Sequence, residues 1–259
     1  MNKQKYPTDL TARQWDYIKE LIPAAKTGGR PRSLEMRQVI NAILYVTVGG
    51  IQWRLLPQEY PNWKSVSHYF RTWRQDGTWK RLHDTLRAAV RRQAGRHKQP
   101  TAGRLASQSV KRSAIQGEHG FDAGKKIDGR KRHVLVDTMG LVLAVLVTSA
   151  AVSAPAGARL LLTKLDGVGK KLRLIWVDGT YRGTLITWVA ARFRFCLVPI
   201  LRPLATVGFV LLPRRWVVER TFAWFTMHRR LARDFEVLPE TSEAFIYIAM
   251  IRLMLRRLA

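Results

Sequence analysis

Between residues 8 and 92, apolar side chains recur every three or four positions, the period of a helix that buries one face. Thr11 to Ile22 predicts a short amphipathic helix, with Thr11 as its cap and Pro23 as its stop. A basic turn follows at Gly28 to Arg32. Ser33 then stands where it can cap a longer helix whose positions Met36, Val39, Ile40, Ile43, Leu44 and Thr47 form one stripe, ended by Gly49 and Gly50. A third helix is expected from Ser65 to Trp73, with Val66, Tyr69, Phe70 and Trp73 on one face. A fourth follows Gly77 and buries Trp79, Leu82, Leu86 and Val90. Four helices with short connections suggest a helix-turn-helix-like module over residues 1–92.

Residues 93–104 are polar, basic and rich in Gly and Pro, the composition of a linker. Beyond them the pattern changes. Arg132 to Val147 reads as two apolar strands joined by a tight turn at Asp137 to Gly140. Ala156 to Leu165 reads as helix, Leu172 to Val177 as a buried strand and Phe195 to Leu201 as another. Helices are expected again from Arg214 to Arg233 and from Ser242 to Leu258, the latter capped by Thr241 or Ser242. Strands interleaved with helices predict an α/β domain with a mixed sheet over residues 105–259. Phe245 to Leu258 is apolar on more than one side, and packing against that sheet is the expectation.

Charge narrows the partners. The chain has 259 residues with 45 Lys and Arg against 18 Asp and Glu, a formal net charge of +27. Such a chain attracts polyanions over long range. Its 47% hydrophobic content excludes a disordered basic tail. Cys196 is the single cysteine, which excludes an intramolecular disulfide and any site built on several thiolates. The start lacks the apolar core of a signal peptide, and the apolar stretch from Leu141 to Val152 is too short to span a bilayer, so no membrane partner is expected. Lys64, Arg71 and Arg74, in and beside the third helix, either touch DNA phosphates or form an ordinary solvated helix face.

With so few carboxylates, those in apolar surroundings stand out. Asp178 follows the strand ending at Val177 and precedes Gly179-Thr-Tyr-Arg-Gly183, at the strand end where open α/β sheets build their sites. The alternative is a turn or helix-capping aspartate. Glu219 lies in an apolar helix with Trp216, Val217, Val218, Phe222, Trp224 and Phe225. It either faces a site or forms an exposed ion pair with Arg215 one turn away. Two such carboxylates can hold divalent metal of the hard, oxygen-seeking kind, and two-metal phosphoryl transfer normally wants a third between the ions.

Three runs then become specific: Gly120-Phe-Asp-Ala-Gly-Lys-Lys-Ile-Asp-Gly-Arg-Lys-Arg-His-Val-Leu-Val-Asp-Thr-Met-Gly140, Val177-Asp-Gly-Thr-Tyr-Arg-Gly183 and Pro213-Arg-Arg-Trp-Val-Val-Glu-Arg-Thr-Phe-Ala-Trp224. Together they resemble bacterial insertion-sequence transposases of the DDE type, in the group numbered five. The ending from Leu238 to Ala259 is similar too, and residues 8–92, with Gly49 to Arg54 and Pro61 to Trp63, resemble that family's N-terminal helical domain.

The resemblance implies a ribonuclease-H-like catalytic domain, binding of the element's terminal inverted repeats and of target DNA, and strand cleavage and transfer supported by Mg²⁺ or Mn²⁺, with two ions in an intact site. It implies a homodimer, since two ends must be synapsed, and a cytoplasmic bacterial protein at the nucleoid. Asp178 takes the second acidic position and Glu219 the third. The first lies in Gly103-Arg-Leu-Ala-Ser-Gln-Ser-Val-Lys111, where the family carries aspartate and this chain has Ala106. A methyl group cannot ligate metal, so ion binding is expected to be weakened, and cleavage absent or very weak until Ala106→Asp restores it. The alternative is a catalytically inactive DNA-binding remnant or a repressor of a related element. Asp122, Asp128 and Asp137 are the remaining acids that could substitute. Given the resemblance, Lys125, Lys126, Arg130, Lys131 and Arg132 are expected to grip phosphates beside the site.

Overall fold

In a computed structural model of the chain, residues 5–25, 28, 32–113, 116–165, 167–201 and 216–259 are described. The chain is mixed α/β and divides into two compact units, one of residues 1–96, 227–232 and 244–259, the other of residues 97–226 and 233–243.

The first unit is helical: α1 (Ala12–Ile18), α2 (Met36–Gly49), α3 (Trp63–Gln75) and α4 (Thr78–Gln93). Thr11 caps α1 in a capping box with Gln14, as its position predicts. The cap of α2 is Glu35 rather than Ser33, and it uses no side-chain bond. The cap of α3 is Asn62, whose side chain accepts from the Lys64 amide, so this helix starts before Ser65. The predicted stripe Trp79, Leu82, Leu86 and Val90 is buried on α4. Gly50 ends α2 in the left-handed region at φ 72°, where an added Cβ would lie 2.8 Å from Arg229 Cβ, so both backbone and packing require glycine there.

The expected helix from Arg214 to Arg233 is two helices among the described residues, α7 (Trp216–Thr226) and α8 (Arg229–Ala232). The last helix, α9 (Pro239–Leu258), starts at proline, before Thr241 and Ser242. Ser242 instead donates to Asp234. Residues 244–258 of α9 belong to the helical unit. Phe245 stacks on Phe70 with ring centres 4.7 Å apart, and Tyr247 lies 5.0 Å from His83. A helix apolar all round needs partners on every side, and these aromatics supply them.

The second unit is built on a six-stranded sheet: β1 (Ala102–Lys111), β2 (Gly120–Asp122), β3 (Ile127–Asp137), β4 (Val142–Ser149), β5 (Leu174–Val177) and β6 (Cys196–Pro199). β3 pairs antiparallel with β1 on one side and with β2 and β4 on the other, while β5 pairs parallel with β1 and β6 with β5. The result is the mixed sheet of a ribonuclease-H-like domain. Strand β1 begins at Ala102, inside the stretch whose composition reads as linker. The predicted turn joins β3 to β4, with Asp137 Oδ1 accepting from the Met139 and Leu141 amides.

Helices α5 (Ala154–Thr163) and α6 (Thr184–Arg192) share a core with one face of this sheet, through Leu105, Leu135, Ile175, Val177, Leu161 and Leu185. The approach of α5 is close: a Cβ at Gly157 would meet the His133 ring at about 2.0 Å. Because side chains alternate along a strand, Arg104, Ala106, Trp176 and Asp178 fall on the opposite face.

Candidate active site

Asp178 ends β5, and its carboxylate caps a short 3₁₀ turn. Oδ1 accepts from the Thr180 amide at 2.7 Å and from the Thr180 hydroxyl. It is thus a capping aspartate and also a cleft residue, so the two readings of it are not exclusive. Ala106 is half-buried on the neighbouring strand. The parallel register pairs Arg104 with Trp176, and continuing it by two residues sets Ala106 beside Asp178.

Glu219 lies in the first turn of α7 and is exposed, a position favoured for a carboxylate by the helix dipole. Around it the helix is anchored by its buried side: Val217, Val218, Thr221 and Phe225 are covered. Thr221 Oγ1 donates to the Gly140 carbonyl at 2.8 Å, and Arg220 donates to the Met139 carbonyl at 2.9 Å. These bonds tie α7 to the β3–β4 turn. Arg215 lies outside the described residues.

The three positions are brought together. A small cleft, with a cavity volume of about 30 Å³, is lined by Ala106, Asp178 and Glu219, with Arg104, Trp176 and Val218 also in its wall. Arg104 and Trp176 are the members that sequence reasoning missed. Their signal was there to find, because Arg104 lies two residues before Ala106 and Trp176 two before Asp178, on the same faces of their strands.

Whether this donor set fits the two-ion centre that the resemblance implies can be judged from its chemistry. It offers two carboxylates, the methyl group of Ala106 and a buried arginine. Among the described residues no group of three or more His, Cys, Asp or Glu is arranged to hold a metal ion. The set does not fit. The possible substitute acids are engaged elsewhere. Asp122 pairs with Lys131 at 3.0 Å and is held down to about 2 by the Ser109 hydroxyl and that lysine. Asp128 pairs with Arg112 at 3.0 Å, and Asp137 is fully buried in its turn.

The basic run divides. Lys125 and Lys126 sit in the exposed β2–β3 turn, Lys126 with a left-handed φ of 52°. Arg130, Lys131 and Arg132 are buried in β3, between β1 and β4. Arg130 donates to the Glu118 and Val237 carbonyls and to Asp234 at 3.1 Å. Lys131 bonds Asp122 and the Val152 carbonyl. Burial draws the Arg132 guanidinium down to about 10. The expectation that all five grip phosphates is therefore corrected for these three, since their charges face the interior.

On α3 of the helical unit, Lys64 and Arg71 are exposed and seven residues apart, on one face. Arg74 sits off that face and is half-buried. Lys64 also lines an open groove of about 700 Å³ with Arg32, His68, Tyr69 and Trp73.

Comparison with known proteins places the chain in a family. Residues 10–83 match the family described as transposase of IS4/5 family, and residues 100–255 match the transposase DDE domain. A Burkholderia cepacia protein described as the insertion element IS402 uncharacterized 16.2 kDa protein is 34% identical over 83 residues, which is 30% of this chain. The chain spans 56% of that relative's length. The second family match covers more than half of the chain and all three positions of the cleft: the chain belongs to the transposase DDE domain family.

Proposed function

We propose that this chain binds the terminal inverted repeats of an insertion sequence and that its cleft is the remainder of a strand-cleavage and transfer site, left incomplete by Ala106. The observation that carries the reading is the meeting of Ala106, Asp178 and Glu219 in one cleft from three separate segments. In family members with a full acidic set, Mg²⁺ or Mn²⁺ would supply charge neutralisation at the scissile phosphate. Here Asp178 and Glu219 keep their places, but no cleavage step is assigned to them.

DNA is the expected partner. Lys125, Lys126, Lys64 and Arg71 carry exposed charge suited to phosphates. Synapsis of two ends calls for a homodimer, which would act on the bacterial nucleoid and its target DNA. Among the described residues no helix is long and apolar enough to cross a membrane.

The test is a duplex bearing inverted-repeat ends, incubated with Mg²⁺ or Mn²⁺. The chain is expected to bind it in a salt-sensitive way with at most trace scission, and the Ala106→Asp variant to gain measurable scission. Robust cutting by the unaltered chain would sink the incomplete-site argument. Binding without scission, even after Ala106→Asp, would favour the second reading, a DNA-binding remnant or repressor. That reading draws support from the arginine in the cleft wall.

A further inference from the structure

Arg104 is only 5% exposed and lines the same cleft as both carboxylates. It lies two residues before Ala106 on the same face of β1, about 7 Å along the strand at roughly 3.3 Å per residue. Its guanidinium stands 4.9 Å from the centre of the Trp176 ring, across the parallel ladder. Arginine does not lose its proton in a protein, and a buried cation without a counter-charge is strongly unfavourable. Among the cleft-lining residues, Asp178 and Glu219 are the carboxylates that can supply that counter-charge.

We propose that Arg104 is a built-in counter-ion of this cleft: its fixed positive charge neutralises Asp178 and Glu219 and excludes a divalent metal. The inference rests on reading the cleft as the remainder of a DDE site, and it goes beyond Ala106. Two changes, not one, separate this cleft from a metal centre. Loss of the bridging acid leaves two negative charges, and the guanidinium reduces them to a net of one. An entering divalent ion would meet a like charge it cannot displace, because Arg104 is held by the strand and by Trp176.

Packing alone could account for an arginine stacked on tryptophan, so the test must read charge. Mn²⁺ binding, followed by the loss of free-ion paramagnetic resonance without DNA, is compared across five full-length proteins. These are the chain itself, Ala106→Asp, Arg104→Met with Ala106→Asp, Arg104→Lys with Ala106→Asp, and Arg104→Gln with Ala106→Asp. Glutamine keeps a planar donor against Trp176 and serves if methionine unfolds the protein, as judged by thermal melting.

The expected result is no saturable binding by the chain, weak binding by Ala106→Asp, and binding about tenfold tighter or more once the charge at 104 is also removed. The lysine variant should remain weak. Equal affinity in Ala106→Asp and the uncharged double variants, or equal affinity with lysine and with methionine or glutamine at 104, would overturn the proposal. So would tight binding by the unaltered chain. Failure of the function reading looks different: the uncharged double variant would take up Mn²⁺ yet leave inverted-repeat DNA uncut.

Discussion

Two short stretches of the same basic run, Lys125-Lys126 and Arg130-Lys131-Arg132, look interchangeable in sequence and are opposites in the fold. The first pair occupies an exposed turn, where Lys125 Nζ donates to the Ser107 carbonyl at 3.4 Å. The second lies in a strand flanked on both sides, each charge close to protein groups. What separates them is register: four residues carry the chain from the turn into the centre of a sheet. Basic composition therefore says little about nucleic-acid contact until the pairing of the strand is known. An interior arginine is part of the fold's own electrostatics.

The comparison breaks most visibly at Arg130. Arg130→Ala would leave Asp234, itself buried, with Ser242 but without its cation. Removing one partner of a buried pair destabilises by about 3–5 kcal/mol. Denaturant unfolding should show that loss, whereas Lys125→Ala should change stability by less than about 0.5 kcal/mol. Equal effects at the two positions would erase the distinction.

His133, one residue beyond the buried trio, sharpens it through pH. Burial first, then the charges of Lys131 and Lys125, hold the ring down to about 4 from an ordinary 6.5. Between those values the unfolded chain binds the proton and the folded chain does not. The contribution is thus complete above about 6.5 and is lost as pH falls towards 4, to the extent of about 3 kcal/mol. Glu243 has the opposite slope. Its burial raises it to about 7, so its contribution declines as pH rises from about 4.5 through 7. The difference between the chain and His133→Gln, melted across this range, isolates the histidine. A difference that does not vary with pH would contradict the assignment.

Features decided within a turn of chain were legible. Thr11 capping, the stop at Gly50, the stripe on α4 and the Asp137 to Gly140 turn all depend on neighbours a few residues away. Features decided by distant partners were not. Asn62 and Ser65 both suit a cap, and the structure uses the first. Ser242 was free to cap until Asp234 claimed it. The apolar surface of α9 gave its burial but not its neighbours. The site shows the same division. Asp178 and Glu219 were visible as acids in apolar settings, while the significance of Ala106 came from resemblance alone. Arg104 went unnoticed because one cation among 45 Lys and Arg gives no hint of burial.

The smallest effect on stability should be the most informative about DNA. Replacing Lys125 and Lys126 together by glutamine removes two exposed charges without touching a buried group, so the melting curve should barely move. If both contact phosphates, the slope of log affinity against log salt falls by roughly 0.9 for each, close to two in all. The loss should be the same for any duplex sequence, because phosphates carry no base information. Measured beside Lys64→Gln with Arg71→Gln on α3, the experiment asks which unit holds the backbone. An unchanged slope in the turn variant, with a reduced slope in the helix variant, would move the DNA contact to the helical unit. The exposed half of the basic run would then be as silent towards DNA as its buried half.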